Sequence, residues 1–273
     1  MSLRPPTKRR LTDPKAEAVI AVLQKRRKQL PAPPHPAGMT LMEHLTELRH
    51  RLVVSVVAVA AGAIVAFVLY NRILDFLIAP YCDLPNRPPG PCTLFITDPL
   101  EGFATRLKVA TWTGFLLASP VVLYQLWRFI TPGLNPKEKR YAVPFVVSSV
   151  LLFFLGALLA KLTFPQALDF LVSVGGPNLQ TIFSPAKYLR LVILVTISFG
   201  VAFQFPVLLV FLQLARVLTS RRLAGWRRPA AVVIVVVAAV ITPSQDPYTL
   251  LFMAGPMYIF YELSIIVGRI LRR

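Results

Sequence analysis

The 273 residues carry a net charge of +18, yet 55% are hydrophobic and only 15% are charged, and the mean hydropathy is +0.62. That balance excludes an ordinary soluble domain and points to a chain that crosses a membrane several times.

Residues 1–38 form a basic extension with seven prolines and nine lysines or arginines around the helix-compatible patch "AEAVIAVLQKRRKQL". Its composition reads as a disordered tail that touches anionic headgroups, with a docking helix as the alternative. No apolar run with a small-residue cleavage site precedes the first span, so a removable signal peptide is not expected. The stretch "TLMEHLTELRHRL" (40–52) then carries a helix-start pattern, with Thr40 as N-cap and Glu43 at the third helical position. Met42, Leu45, Leu48 and Leu52 recur on one side; Glu43, Glu47, His50 and Arg51 share another. Capping accounts for Glu43. Glu47 has an i,i+4 partner in Arg51, a pair worth about 0.2–0.5 kcal/mol, and that structural reading stands beside any functional one.

Six segments qualify as spans: Leu52–Tyr70, Leu107–Ile130, Ala142–Leu162, Leu191–Leu214, Ala230–Thr242 and Tyr248–Val267. The fifth covers only about 20 Å at 1.5 Å per residue, against about 30 Å of hydrocarbon. It either thins the bilayer or makes a tight hairpin with the sixth through "TPSQDP" (242–247). A six-span membrane domain over 39–268 and a short basic tail over 269–273 complete the organisation. Lysine and arginine concentrate in the N-terminal 51 residues, in 131–141, in 215–229 and in the tail, which places both termini in the cytoplasm. The basic charge then reflects topology and anionic lipid, and no nucleic-acid partner is expected.

Both cysteines, Cys82 and Cys92, fall in the first non-cytoplasmic loop across "DLPNRPPGP". In a reducing compartment they are free thiols; in an oxidising one the proline-turned loop favours a disulfide, which is the expectation here. The connection "TPGLNPKEKRY" (131–141) repeats a helix-start pattern, with Asn135 as N-cap, Pro136 first and Glu138 third. Glu47 and Glu138 thus share one membrane face as two of its few acids. Carboxylates so placed suit a pair of guanidinium groups. Within the spans, Lys108 and Lys161 can snorkel, Glu262 calls for a partner, and Gln204 is a polar side chain near the middle of the fourth.

Enzymatic readings lack a constellation. His35, His44 and His50 show no metal-ligand spacing, and neither a P-loop nor a nucleophile elbow occurs, so no catalytic residue, metal or cofactor is expected. Paired intramembrane acids and a duplicated half are absent as well. The competing class is a secondary transporter or channel for a small solute, with Glu262 and Gln204 lining its route.

Six stretches in order, "HLTELRHRL", "LIAP", "SPVVLYQLWRFITPGLNPKEKR", "FGVAFQFPV", "ITPSQDP" and "PMYIFYELS", resemble the TatC family, the multispanning receptor of twin-arginine protein translocation. The resemblance covers 39–267 and implies an all-α fold of six transmembrane helices, the fifth and sixth short, with both termini cytoplasmic. It implies a receptor and core subunit that binds twin-arginine signal peptides of folded cargo, single-span partners of the TatA and TatB type, and a homo-oligomer in the cytoplasmic membrane. By motif position, Glu47 and Glu138 match the acids that receive the arginine pair. Arg49, Arg51, Pro80, Phe129 and Asp246 match other positions tied to function. Gln204 departs from the family, which commonly has glutamate there.

Overall fold

The computed structural model describes residues 41–82, 94–130, 142–176, 183–244 and 246–271. The chain divides into two compact units, Met1–Thr46 and Glu47–Arg273. Of the first only the opening turn of a helix is described, so the expected basic extension lies outside the described residues.

Nine helices occur among the described residues. The first, α1 (Leu41–Val68), passes through a single turn residue into α2 (Tyr70–Cys82). The predicted spans leave 71–106 as a connection, yet Ile73, Leu74, Leu77 and Ile78 repeat at helical spacing and pack on the core, which makes α2 an amphipathic helix. Helices α3 (Glu101–Ile130) and α4 (Ala142–Val174) follow. Both outrun their predicted spans, because Glu101 and Thr105 at one end and Phe164, Ala167 and Leu168 at the other are buried and so hold those turns in place.

The fourth crossing is two helices, α5 (Pro185–Ala202) and α6 (Phe205–Leu214). Pro206 has no N–H to donate, and the chain tightens before it, with Gln204 N bonding Val201 O at 2.9 Å. Short α7 (Ser220–Gly225), capped by Thr219, leads to α8 (Arg227–Ile241), and α9 (Pro247–Leu271) ends the described chain. Among the described residues, five stretches are long and apolar enough to cross a membrane: α1, α3, α4, the α5–α6 pair and α9. The fifth crossing, α8, has 15 residues and is short as expected. The sixth has 25 and is not short, because Gly255 and Pro256 are accommodated inside a continuous helix.

The core gathers on the fourth crossing. Tyr188, Leu189, Phe199 and Phe203 are almost fully buried against Phe164 and Leu168 of α4 and Met253, Met257 and Ile265 of α9. Half of that crossing's apolar window is buried, against 11% for α1, so α5–α6 is the hub and α1 an arm. The arm is fastened at one close crossing. A Cβ on Gly62 would stand 2.7 Å from Gly114 O, and one on Gly114 would stand 2.4 Å from Ala63 N, so only glycine lets these backbones meet.

Candidate functional site

The arm carries the first group of predicted residues. Arg51 Nη2 donates to Glu47 Oε1 one turn back, the i,i+4 pair anticipated from spacing. Arg51 is buried at 8% exposure and Glu47 half-buried, while Arg49 and His50 face outward. A half-buried charge-assisted bond holds the carboxylate more firmly than an exposed pair of the same spacing would.

The second group lies at the end of α3. Trp127 is buried, stacks on Phe145 at 5.0 Å and meets Phe211 edge-on at 5.4 Å. Its indole N–H donates to Ser149 Oγ at 2.5 Å. That anchor fixes the last turn of α3 and with it half-buried Phe129. The sequence alone assigns Trp127 no role; its signal is a tryptophan near the end of an apolar run, an aromatic body with one donor to satisfy.

The two groups share a face. Gly62 and Gly114 touch, and Arg106 near the start of α3 donates to Phe67 O at 3.3 Å near the end of α1, so the two helices run antiparallel. Glu47 precedes Gly62 by fifteen residues and Phe129 follows Gly114 by fifteen. Each therefore lies about 22 Å from the crossing, toward the same end. Glu138, which Phe129 leads toward, lies outside the described residues.

Several polar groups inside the bundle find partners. Gln204, at the break between α5 and α6, donates through Nε2 to Ser149 O at 3.0 Å and to Gly200 O at 3.5 Å. Its Oε1 is buried without a hydrogen bond. Ser149 therefore joins two donors, accepting Trp127 at its hydroxyl and Gln204 at its carbonyl. Glu262 has the partner its depth demanded: Arg227, first residue of α8, bonds its Oε2 at 2.8 Å. Asp246, 2% exposed, caps α9 by accepting from Thr249 N at 2.7 Å and Thr249 Oγ1 at 2.5 Å. Pro80 is buried in the last turns of α2, beside Tyr81, which packs against Phe183 and Tyr188. Cys82, ending α2, is disulfide-bonded; Cys92 lies outside the described residues.

One residue that sequence reading passed over organises the opposite end. Glu101 is 8% exposed, and its carboxylate accepts from Thr97 N, Thr97 Oγ1, Ser184 Oγ and Ala186 N. It thereby joins the start of α3 to the start of α5. Its signal is "DPLE" (98–101), which like "NPKE" has proline second and glutamate fourth, with Asp98 Oδ1 accepting from Leu100 N at 2.7 Å.

Residues 43–256 match the family described as Sec-independent protein translocase protein (TatC). The chain belongs to the TatC family. The TatC protein of Frankia casuarinae is 42% identical over 84% of this chain and 65% of its own length, and that of Aquifex aeolicus is 38% identical over 86% and 97%. This chain thus spans slightly less than two thirds of the Frankia relative and nearly all of the Aquifex one. A solved structure titled as the twin-arginine translocase receptor TatC superposes with a TM-score of 0.68 at 38% identity, covering 85% of this chain and all of that one. Membership makes this a multi-pass membrane protein of a non-enzymatic translocase family. The small-solute transporter reading has no support among these relatives.

Proposed function

We propose that the chain is the receptor and core subunit of a twin-arginine translocase, set in the cytoplasmic membrane with both termini in the cytoplasm. Its ligand is the arginine pair of signal peptides on folded proteins, which Glu47 and Glu138 receive together. The observation that carries this reading is the antiparallel α1–α3 pair, which brings Glu47 to the face from which the 131–141 connection departs. The similarity to solved structures of the twin-arginine translocase receptor TatC supports it.

The chemistry follows from the acceptors. Two carboxylates on a face otherwise rich in lysine and arginine make a local well for cations, and each offers two oxygens in the plane that a guanidinium fork matches. Arg51 donates to Glu47 within α1. An incoming arginine exchanges with that intramolecular partner, so Arg51 keeps the carboxylate oriented until the peptide arrives. Lysine brings a point charge and loses the two-pronged geometry, which is how the site distinguishes the motifs. The mostly exposed face of α1, with Val53, Val56 and Val57, suits single-span helices of the TatA and TatB type or a second copy of the chain. The basic connections suit anionic lipid on the cytoplasmic side.

Photocrosslinking of a twin-arginine peptide and its twin-lysine variant to the full chain tests the site. Glu47→Ala and Glu138→Ala are each expected to reduce twin-arginine crosslinking about tenfold or more, the loss of a charge-assisted bidentate contact. The folded protein level should not change. Normal binding by both variants would place the site elsewhere.

A further inference from the structure

We propose that the cavity between the first turns of α3 and α5 holds the phosphate headgroup of an anionic phospholipid, in the leaflet opposite the basic connections. The cavity has a volume of about 370 Å³ and is lined by Thr105, Lys108 and Trp112 of α3 and by Arg190, Ile193 and Leu194 of α5, among others. That size falls within the range of about 300–1,000 Å³ usual for ligand sites.

Three independent features point to an anion. Lys108 and Arg190 enter from facing helices, and neither makes an ion pair or hydrogen bond with any described residue. Both side chains are exposed and both line the same cavity, so one phosphate there would meet two cations by charge-assisted bonds. Thr105 is the second feature. Its side chain is 2% exposed and its hydroxyl has no partner, whereas Thr111, Thr163 and Thr196 each bond the carbonyl four residues back. The third is the direction of the helices. Glu101 fastens the beginnings of α3 and α5 side by side, so both positive helix ends lie at the mouth of the cavity. The acids at that rim are engaged: Glu101 accepts four hydrogen bonds and Asp98 Oδ1 accepts from Leu100 N in the turn before α3.

The rest of the lining selects a lipid over a soluble anion. Trp112, Ile193 and Leu194 continue the groove along the helices, an apolar track for an acyl chain below a cationic seat. Basic pockets between transmembrane helices recognise anionic headgroups on the cytoplasmic side of other membrane proteins, and the cavity here offers the same chemistry in the opposite leaflet.

Trp112 lines the cavity and provides the readout. The full chain is reconstituted in phosphatidylcholine vesicles containing a minor fraction of brominated phosphatidylglycerol or, at the same fraction, brominated phosphatidylcholine. Subtracting the fluorescence of the Trp112→Phe variant isolates Trp112 from the other tryptophans. Quenching by the anionic lipid should exceed quenching by the zwitterionic one several-fold. Lys108→Gln/Arg190→Gln should abolish the preference, each single substitution should reduce it, and Lys108→Arg/Arg190→Lys should keep it. Equal quenching by the two lipids overturns the proposal, as does a preference that survives in the double glutamine variant. Displacement by inorganic phosphate would assign the seat to a soluble anion and overturn it too.

Discussion

Gln204 occupies the weakest point of the fourth crossing, where Pro206 removes a donor and the helix breaks. Its amide N–H₂ supplies a donor to Ser149 O and reaches Gly200 O, so the side chain substitutes for part of the interrupted ladder. A protonated glutamate would present its O–H to the same carbonyl, and an ionised one would repel it. Gln204→Glu is therefore expected to remain neutral and to support export of a twin-arginine reporter at a normal level. Gln204→Leu removes the donor, costs about 0.6–1.7 kcal/mol, and should impair export while the protein accumulates normally. A fully active leucine variant would show that neither contact nor polarity matters. At this scale the sequence was informative about residue type and silent about partners. Glu47–Arg51 was readable because four residues separate them. Gln204–Ser149 was not, with 55 between, nor was Glu101–Ser184, with 83.

Helices here are positioned by a few close contacts more than by broad interfaces, and α1 is the clearest case. Its main attachments are the Gly62–Gly114 crossing and Arg106, which bonds Phe67 O while its guanidinium lies 4.3 Å from the Phe67 ring centre. A methyl at Gly114 meets backbone, which cannot move aside. Gly114→Ala should destabilise the protein by roughly 1–3 kcal/mol, seen as a lower Tm in detergent. Gly255→Ala is the contrasting case: its methyl enters open space in mid-helix, and the change should stabilise by roughly 0.5–1 kcal/mol. Equal shifts for the two would mean that the crossing does not hold the arm. The end of α2 depends on a covalent contact. Cys82 is disulfide-bonded, and Cys92, the other cysteine of the sequence, is its expected partner. Alkylation of denatured, unreduced protein from an oxidising host should label neither thiol, and full labelling of both would exclude the bridge.

The number and order of crossings were legible for the whole molecule because hydropathy reports what lipid tolerates. The ends of helices were not, because buried turns such as that of Phe164, Ala167 and Leu168 are interrupted by Lys161, Gln166 and Asp169, which dilute the apolar run. What burial could not lengthen is α8. Its 15 residues rise about 22 Å, some 8 Å less than a typical hydrocarbon core of about 30 Å, and both of its ends are tied. Arg227 is paired to Glu262, while the following turn is held by the buried Asp246–Thr249 cap. Sliding α8 along α9 to hide the mismatch would break one tie or the other, so the bilayer must adapt by thinning beside this helix. The sixth helix, at 25 residues, has no such constraint and confines the adaptation to one side of the bundle. Each ångström of mismatch costs a fraction of a kcal/mol, so lengthening the lipid should erode stability steadily. The protein reconstituted in dioleoyl phosphatidylcholine is expected to unfold at a higher temperature than in a phosphatidylcholine of much longer monounsaturated chains. Glu262→Gln, which weakens the tie at Arg227, should narrow that difference by letting α8 shift. Identical unfolding temperatures in the two lipids would mean that the short helix is not held against the membrane.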